Sequence, residues 1–316
     1  MKYSRIQYRV IPCLIAGATL LSGLASTPVA ACSICRCGDP TYNALGSDGV
    51  AQTGLRLALD WDQVKKTQGP SDELDSITER RETLMVAYGV NDRLGLFARI
   101  PYSERNLTET VDGEAEKNSA SGLADPELYA QVRLWSSQFR GDLGRQSSVY
   151  LIGGVKTDWG NNNVKSGGER LDEHVQPGTG SMDEFLGVAG SYQISHESAV
   201  FASAQYRNTG RNDAGYKYGN TALLNVAYDR RLSDRWDVVL EADYRDAQRD
   251  EIESSGAKDP NTGGSITYLT PRVLFSAGHG WVLRASAQFP LYQSGLNGQQ
   301  EEKTVVNLGV SYLLGK

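Results

Sequence analysis

After its first 31 residues, the sequence contains no long apolar run. A membrane-spanning helix needs roughly 18 to 20 consecutive apolar residues, and no later segment approaches that length. The absence excludes a helical membrane protein. A soluble protein or a β-barrel remains.

Histidine and catalytic motifs are also scarce. The chain has 3 histidines. His174 lies in a predicted long loop, while His196 and His279 lie in predicted turns, so none is placed to activate a serine on a strand. There is no phosphate-binding loop, helix-borne metal motif or dinucleotide fingerprint. We therefore predict that the protein is not an enzyme and that its histidines are exposed.

Basic residues are outnumbered by acidic ones, 32 against 38, which gives a net charge of −6. The first 31 residues contain the basic Lys2, Arg5 and Arg9 but no acidic residue. Removal of that segment therefore makes the chain more acidic still. Such a balance disfavours nucleic acid as a partner.

The amino end has the features of a secretory signal peptide over residues 1–31. Basic residues come first, an apolar core runs from Val10 to about Leu24, and Val29 and Ala31 supply the small side chains that precede a cleavage site. Cleavage is predicted before Cys32. Because Val29 to Cys32 also fits a lipobox, acylation of Cys32 is the alternative.

Apolar and polar side chains alternate over most of the remaining sequence, which is typical of half-buried β-strands. Leu55, Leu57 and Leu59, for example, share one face of a strand. The alternation predicts twelve strands, an even number, as a closed bacterial outer-membrane barrel requires. They span 51–64, 78–90, 93–104, 123–135, 147–159, 182–194, 198–209, 217–231, 235–248, 264–277, 281–293 and 303–314.

The predicted connections alternate in length. Short turns lie at 91–92, 195–197, 233–234 and 278–280, with a somewhat longer one near Gly141. Long hydrophilic loops cover 65–77, 105–121, 160–181 and 249–263. Because outer-membrane barrels have short periplasmic turns and long outer loops, both chain ends are predicted to be periplasmic.

Aromatic residues form two predicted belts, as expected where amphipathic rings lie at the two headgroup levels of a membrane. The outer belt contains Trp61, Tyr102, Trp159, Tyr206 and Tyr244, and the inner belt contains Tyr88, Tyr192, Tyr228, Trp236, Trp281 and Tyr312. Trp135 has the parity of a lumen-facing residue and is an exception. A soluble β-sandwich remains the alternative fold.

Several short motifs within about residues 120–314 resemble those of an outer-membrane family named for the phenol-degradation meta pathway. They are G-L-A-D-P at 122–126, G-G-V-K at 153–156, Q-P-G-T-G at 176–180, and Q-F-P-L-Y-Q with L-N-G between 288 and 298. The resemblance implies a transporter. It does not imply a particular substrate.

The strand parity also predicts which charged side chains point into the lumen. A charge in the hydrocarbon layer is unfavourable, so these side chains should face water or one another. The candidates for a solute path are Arg56, Arg81, Arg99, Arg133, Lys156, Arg207, Arg272, Arg284, Asp60, Glu241 and Asp243. One interpretation is a filled barrel held by arginine–carboxylate pairs, and the other is an arginine track for acidic solutes.

Three cysteines lie within six residues at the predicted mature amino end: Cys32, Cys35 and Cys37. A disulfide with one cysteine left over, a Cu(I) or Zn(II) site and acylation of Cys32 are all open. Arg36 stands where a c-type haem motif requires histidine, which argues against haem attachment.

These patterns together predict a signal peptide at 1–31, a periplasmic cysteine segment at 32–50 and an all-β, transmembrane antiparallel barrel at 51–316 in the bacterial outer membrane. The predicted function is a channel for small solutes, with membrane lipid, the solute and a periplasmic thiol or metal protein as partners. The alternatives are a structural barrel that docks a periplasmic redox or metal-handling protein, and a secreted soluble β-sandwich that binds ligands.

Overall fold

The computed structural model describes residues 54–68, 75–111, 114–139, 142–252, 256–294 and 301–314. The predicted signal peptide and cysteine segment lie outside these residues. Within them no helix is long and apolar enough to cross a membrane.

Eighteen strands are present in the described residues. In chain order they are β1 Gly54–Gln68, β2 Asp75–Gly89, β3 Leu94–Val111, β4 Glu114–Leu123, β5 Glu127–Phe139, β6 Asp142–Lys156, β7 Lys165–Ser166, β8 Glu169–Arg170, β9 Asp183–Ser195, β10 Ser198–Asn208, β11 Thr221–Arg231, β12 Trp236–Ala247, β13 Glu251–Ile252, β14 Ala257–Lys258, β15 Gly264–Gly278, β16 Trp281–Ser294, β17 Glu301–Glu302 and β18 Val305–Leu314.

Twelve of these strands form one closed antiparallel wall. The order around the barrel is β1, β2, β3, β5, β6, β9, β10, β11, β12, β15, β16 and β18, and β18 pairs with β1 to complete the circle. Closure leaves no free edge in the wall, as a membrane requires of β-structure. The prediction of a transmembrane twelve-stranded barrel is confirmed, and the soluble β-sandwich is ruled out.

The alternation in sequence becomes the two faces of this wall. On β11, Leu224, Val226 and Tyr228 are exposed on the outside, whereas Asn225 and Asp229 are buried on the inside. A lipid-facing apolar exterior and a polar interior have period two along each strand, which is the pattern of outer-membrane barrels.

Trp135 joins the outer surface, so its expected lumen-facing position is wrong. The pairing of β5 with β6 shifts between Arg133 and Trp135, which leaves Leu134 as the extra residue of a β-bulge. Because a bulge inserts one residue, it reverses the parity that follows. Trp135 therefore pairs with the lipid-facing Val149 and is exposed.

Strands of the wall continue into two of the predicted long loops, 65–77 and 105–121. The pairing of β1 with β2 continues from the wall to Gln68 and Asp75, and β3 continues to Val111 before β4 pairs back along it. Outside the lipid, both faces of a hairpin can meet water, so the apolar alternation disappears while the backbone pairing continues. The sequence pattern could not detect these extensions.

Candidate functional site

The eleven predicted lumen residues all have reduced exposure, and none lies on the lipid face. Seven of them are buried: Asp60, Lys156, Arg207, Glu241, Asp243, Arg272 and Arg284. Four are half-buried: Arg56, Arg81, Arg99 and Arg133. Their burial shows that the interior is lined by charged side chains packed against one another.

One ion pair crosses an intervening strand inside the lumen. Arg284 of β16 donates to Asp60 of β1 at 2.7 Å, although β18 lies between the two strands. Gly309 is the β18 residue paired with both of them, and a Cβ there would lie 2.1 Å from Asp60 Oδ1. The missing side chain therefore makes room for the pair.

A second cluster links three neighbouring strands. Arg272 of β15 donates to Glu241 of β12 at 2.7 Å. The Asn225 amide of β11 donates to both Glu241 and Asp243, and the Thr270 hydroxyl donates to Asp243 at 3.1 Å. The carboxylates of Glu241 and Asp243 are therefore neighbours, and each accepts hydrogen bonds from two other side chains.

Arg99 and Arg207 meet at one carboxylate, that of Glu127, with distances of 3.1 and 2.6 Å. The Arg207 guanidinium also lies 5.1 Å from the centre of the Phe185 ring, a cation–π distance. Arg81 pairs with Glu79 on its own strand, and Arg133 of β5 pairs with Asp92 in the turn between β2 and β3. Arg56 lies on the inner face of β1.

An aromatic row lies on the inner wall beside this cluster. Phe97 stacks on Tyr129 with ring centres 4.7 Å apart, and Tyr129 meets Phe185 edge-on at 5.9 Å. The strand β6 separates Tyr129 from Phe185, and Gly154 is the residue paired with both. A Cβ at Gly154 would lie 2.3 Å from Tyr129 Cβ, so this glycine of the G-G-V-K motif permits the contact.

Three of the sequence motifs converge on Lys156. Its amino group donates to Asp125 at 3.0 Å, to Thr179 Oγ1 at 2.6 Å and to the Ser181 carbonyl at 2.7 Å, and it lies 3.3 Å from Asp183 Oδ2. Asp125 comes from G-L-A-D-P and Thr179 from Q-P-G-T-G. The motifs that carried the family resemblance are thus brought together by the fold.

This cluster holds both ends of the connection between β6 and β9, residues 157–182, which we call the strap. Asp125 accepts hydrogen bonds from the backbone N–H groups of Gly160 and Thr179, at 3.0 and 2.7 Å. A Cβ at Gly160 or Gly178 would lie within 2.9 Å of Asp125 Oδ1. Close backbone approach therefore fixes the strap at its two ends.

The middle of the strap crosses the mouth of the barrel. On one side, Arg105 of β3 donates to the carbonyls of His174 and Gln176 at 2.8 and 2.7 Å. On the other side, His174 Nε2 lies 3.1 Å from Asp250, which follows β12. Because β3 and β12 are six strands apart in a ring of twelve, residues 174–176 connect opposite sides of the mouth through the Arg105 and Asp250 side chains.

Apolar packing and a second loop support this crossing. Val175 packs with Ile77, Leu107 and Ala120 on the inner side of the extended β2, β3 and β4 strands. From the connection between β10 and β11, Tyr218 donates to the Glu173 carbonyl at 2.8 Å. The strap is therefore a folded element that shares a small apolar core with β2, β3 and β4.

His174 is buried, so the expectation of an exposed loop histidine is wrong for this residue. Its Nδ1 lies 3.0 Å from Asp172 and its Nε2 lies 3.1 Å from Asp250. Burial lowers the pKa of His174, but the hydrogen bonds and charges of Asp172 and Asp250 outweigh burial and raise that pKa to about 9. The imidazole is thus cationic at neutral pH.

The sequence patterns missed several residues of this site. Glu302, which precedes β18, accepts hydrogen bonds from Arg245 at 2.8 Å and from Tyr268, and it lies 3.4 Å from Lys66. Arg105, Asp125, Glu127, Asp183 and Asp250 were also missed. Of these, only Asp125 could have been found from the sequence, because it lies in the G-L-A-D-P motif. The others contact residues far away in sequence.

No group of three or more histidine, cysteine, aspartate or glutamate side chains in the described ranges is arranged to hold a metal ion. The predicted ligands Cys32, Cys35 and Cys37 lie outside those ranges.

Comparison with known proteins assigns the fold to a family. Residues 79–297 match the family described as "Putative MetA-pathway of phenol degradation". The chain belongs to this family. A comparison with curated protein sequences gave no match.

Among solved structures, the chain is similar to the COG4313 outer membrane channel from Pseudomonas putida F1, with 12% sequence identity, a TM-score of 0.65, and coverage of 84% of this chain and 97% of the other. Lower similarity is found to the toluene transporter TbuX of Ralstonia pickettii, with 11% identity, a TM-score of 0.43, and coverage of 84% and 90%. At 12% identity, the likeness to the COG4313 channel shows the fold alone.

Proposed function

We propose that this protein is an outer-membrane channel for small solutes, not an enzyme, and that the strap controls entry to its lumen. The observation that carries the proposal is the closed barrel with an apolar exterior, a charged interior and a folded segment across one mouth. Membership of the family and the channel fold support it. The proposed location is the bacterial outer membrane, with lipid around the wall.

The interior charges favour a balanced lumen over an arginine track. Arg99 and Arg207 share Glu127, Arg272 pairs with Glu241, and Arg284 pairs with Asp60. Paired charges attract ions of one sign much less than a ring of one charge does. We therefore propose weak ion selectivity and solutes that are small and uncharged or zwitterionic.

Single-channel recording of the purified protein in planar bilayers tests this proposal. A variant with the strap shortened from residue 163 to residue 175 should show a larger conductance than the wild type, and its reversal potential in a salt gradient should lie near zero. A strongly anion-selective reversal potential would favour the arginine track instead. Absence of conductance from both folded proteins would contradict the channel function.

Surface labelling tests the orientation. With Cys32, Cys35 and Cys37 replaced by serine, a cysteine at the exposed Lys165 should react with an impermeant reagent on intact cells. A cysteine at the exposed Asp234, in the turn before β12, should not react until the outer membrane is opened. The opposite pattern would reverse the proposed topology.

The cysteine segment motivates a second candidate function, the docking of a periplasmic thiol or metal-handling protein. The segment precedes the wall, so the triple change of Cys32, Cys35 and Cys37 to serine should leave the barrel folded. It should abolish Cu(I) or Zn(II) binding or a thiol-linked partner. Retention of both metal and partner by the triple variant would exclude the docking role.

A further inference from the structure

Two attachments hold the strap, and they differ in kind. The ends are fixed by Lys156, Asp125 and three glycines whose backbones approach Asp125 or Asn162 closely: Gly160, Gly178 and Gly180. Lys156 is 1% exposed and has four partners. The middle, by contrast, contacts the far side of the barrel through the His174 imidazole, which lies 3.1 Å from Asp250, and through hydrogen bonds that Asn212 and Tyr218 donate to Glu173.

We propose that His174 is a proton-controlled latch, which holds the strap across the mouth when its imidazole is cationic and releases it from Asp250 when the ring is neutral. This inference rests on the proposed channel function and adds its regulation. The fixed ends would remain in place while the middle of the strap moves away from Asp250.

The charges around the His174 imidazole explain why its protonation determines whether the strap stays bound to Asp250. The strap contributes Asp172 and Glu173, the connection after β12 contributes Asp250, and the connection before β11 contributes Tyr216 and Tyr218. Arg170 forms an ion pair with Glu173, and Arg105 donates to the strap carbonyls of His174 and Gln176 and pairs with Glu79 of β2. Two carboxylates, Asp172 and Asp250, therefore face the imidazole from opposite sides.

A cationic imidazole donates a hydrogen bond from each nitrogen, which satisfies both carboxylates. A neutral ring has one donor, so one nitrogen lone pair must face a carboxylate, and the contact on that side becomes repulsive. Tyr216 donates to Asp250 at 2.5 Å. Burial and then the Asp250 charge raise the pKa of Tyr216, so its hydroxyl stays protonated. Tyr216 therefore keeps its hydrogen bond to Asp250 after the contact between His174 and Asp250 is lost.

The direction of the pH effect follows from the pKa of His174, raised from 6.5 to about 9 by its two carboxylates. A raised pKa means that the folded strap binds the proton more tightly than a released strap does. The stabilisation is complete below about pH 6.5 and disappears as the pH rises through about 9. The strap should therefore open under alkaline conditions.

Single-channel recording of the full-length protein between pH 6 and pH 10 tests the latch. We expect the open probability of the wild type to rise several-fold with a midpoint near pH 9. His174→Gln should be open several-fold more often at pH 7 and should lose the pH dependence. Asp250→Asn should keep a titration but move its midpoint to lower pH, because one carboxylate is gone.

His196→Gln is the matched control, since His196 is an exposed turn residue at the other rim; this variant should behave as the wild type does. Heat-modifiable migration in detergent gels verifies that each variant is a folded barrel. A wild-type open probability that is constant from pH 6 to pH 10, or a His174→Gln titration identical to that of the wild type, would overturn the latch.

Absence of conductance from every variant would refute the channel function but not the latch. Hydrogen exchange tests the latch in that case. At pH 7, the amides of residues 172–176 should exchange at least tenfold faster in His174→Gln than in the wild type or His196→Gln. Equal exchange in all three proteins would refute the latch, whatever the conductance.

Discussion

His279 and His174 belong to opposite rims of one barrel and have opposite environments. His279 is exposed in a tight turn with a positive φ of 51°, between two glycines that also have positive φ. His174 is buried between Asp172 and Asp250, which are 78 residues apart in the sequence. At the rim of the short turns, which we call the inner rim, the His279 turn is formed by its own residues, whereas at the opposite, outer rim the position of His174 depends on distant strands.

The same contrast holds for other polar residues at the two rims. At the inner rim, the Asn91 side chain accepts hydrogen bonds from the backbone N–H groups of Arg93 and Leu94, two and three residues later. At the outer rim, Asp125 binds Gly160, Thr179 and Lys156, all more than thirty residues later. A turn held by hydrogen bonds among its own residues should tolerate single substitutions. A rim held by hydrogen bonds between distant segments should lose more stability when one of the bonding residues is changed.

The largest effect should come from Asp125→Ala. The change leaves Lys156 buried without one of its carboxylates and leaves two strap N–H groups without an acceptor, which should cost about 3–5 kcal/mol. Urea unfolding in lipid vesicles, followed by tryptophan fluorescence, measures this loss. The exposed Asp158→Ala in the same strap is the control and should change stability by less than about 0.5 kcal/mol; equal effects would remove the contrast between the rims.

A smaller effect is expected from Leu240→Arg, on the lipid face of β12. A charge near the bilayer midplane should reduce stability by about 2–4 kcal/mol, against about 0–1 kcal/mol near an interface. Leu232→Arg, in the turn before β12 at the inner rim, is the matched variant. Unfolding free energies in vesicles compare the two, and a larger loss at Leu232 would mean that the membrane position is wrong.

Adjacent glycines of the G-G-V-K motif provide a third test. Gly154→Ala would place a Cβ 2.3 Å from Tyr129 Cβ and 2.5 Å from the Leu128 carbonyl oxygen, so strain of about 1–3 kcal/mol is expected. Gly153→Ala faces outward with its nearest contact at 3.6 Å and should be nearly neutral. Equal stabilities of the two variants in the same urea titration would show that the aromatic row does not need the glycine.

The smallest effect should come from Asn91→Ala at the inner rim. The variant loses two local hydrogen bonds in an exposed turn, where water can replace the side chain, so about 1 kcal/mol is expected. The same unfolding assay measures it. A loss as large as that of Asp125→Ala would show that the inner rim is no more robust than the outer one.

The strands of the wall could be predicted from the sequence because the alternation of apolar and polar residues within each strand is enough to identify it. Each strand alternates against the same two environments, lipid and lumen, so parity alone places Leu224 outside and Asn225 inside. Trp135 was misplaced because a bulge at Leu134 resets that parity, and a single inserted residue carries no signature in the alternation itself.

The outer rim could not be predicted in the same way. The burial of His174 depends on Asp250 and Arg105, which reach it only when β3 and β12 face each other across a closed barrel. Glu302 likewise becomes buried through Arg245 and Tyr268. Parity assigns the charged residues to one face of each strand, but which arginine meets which carboxylate is set by the register between strands.

The pairing of the first wall strand with the last has a kinetic consequence. Leu55 lies opposite Leu314, and the match continues to Gln63 and Val306. The wall therefore cannot close until β18 has been synthesised. Until then, β1 presents an unpaired edge, a template for aggregation, and contacts between the chain ends carry the greatest loop-closure entropy in the molecule. Ring closure should accordingly be the slow, late step of biogenesis.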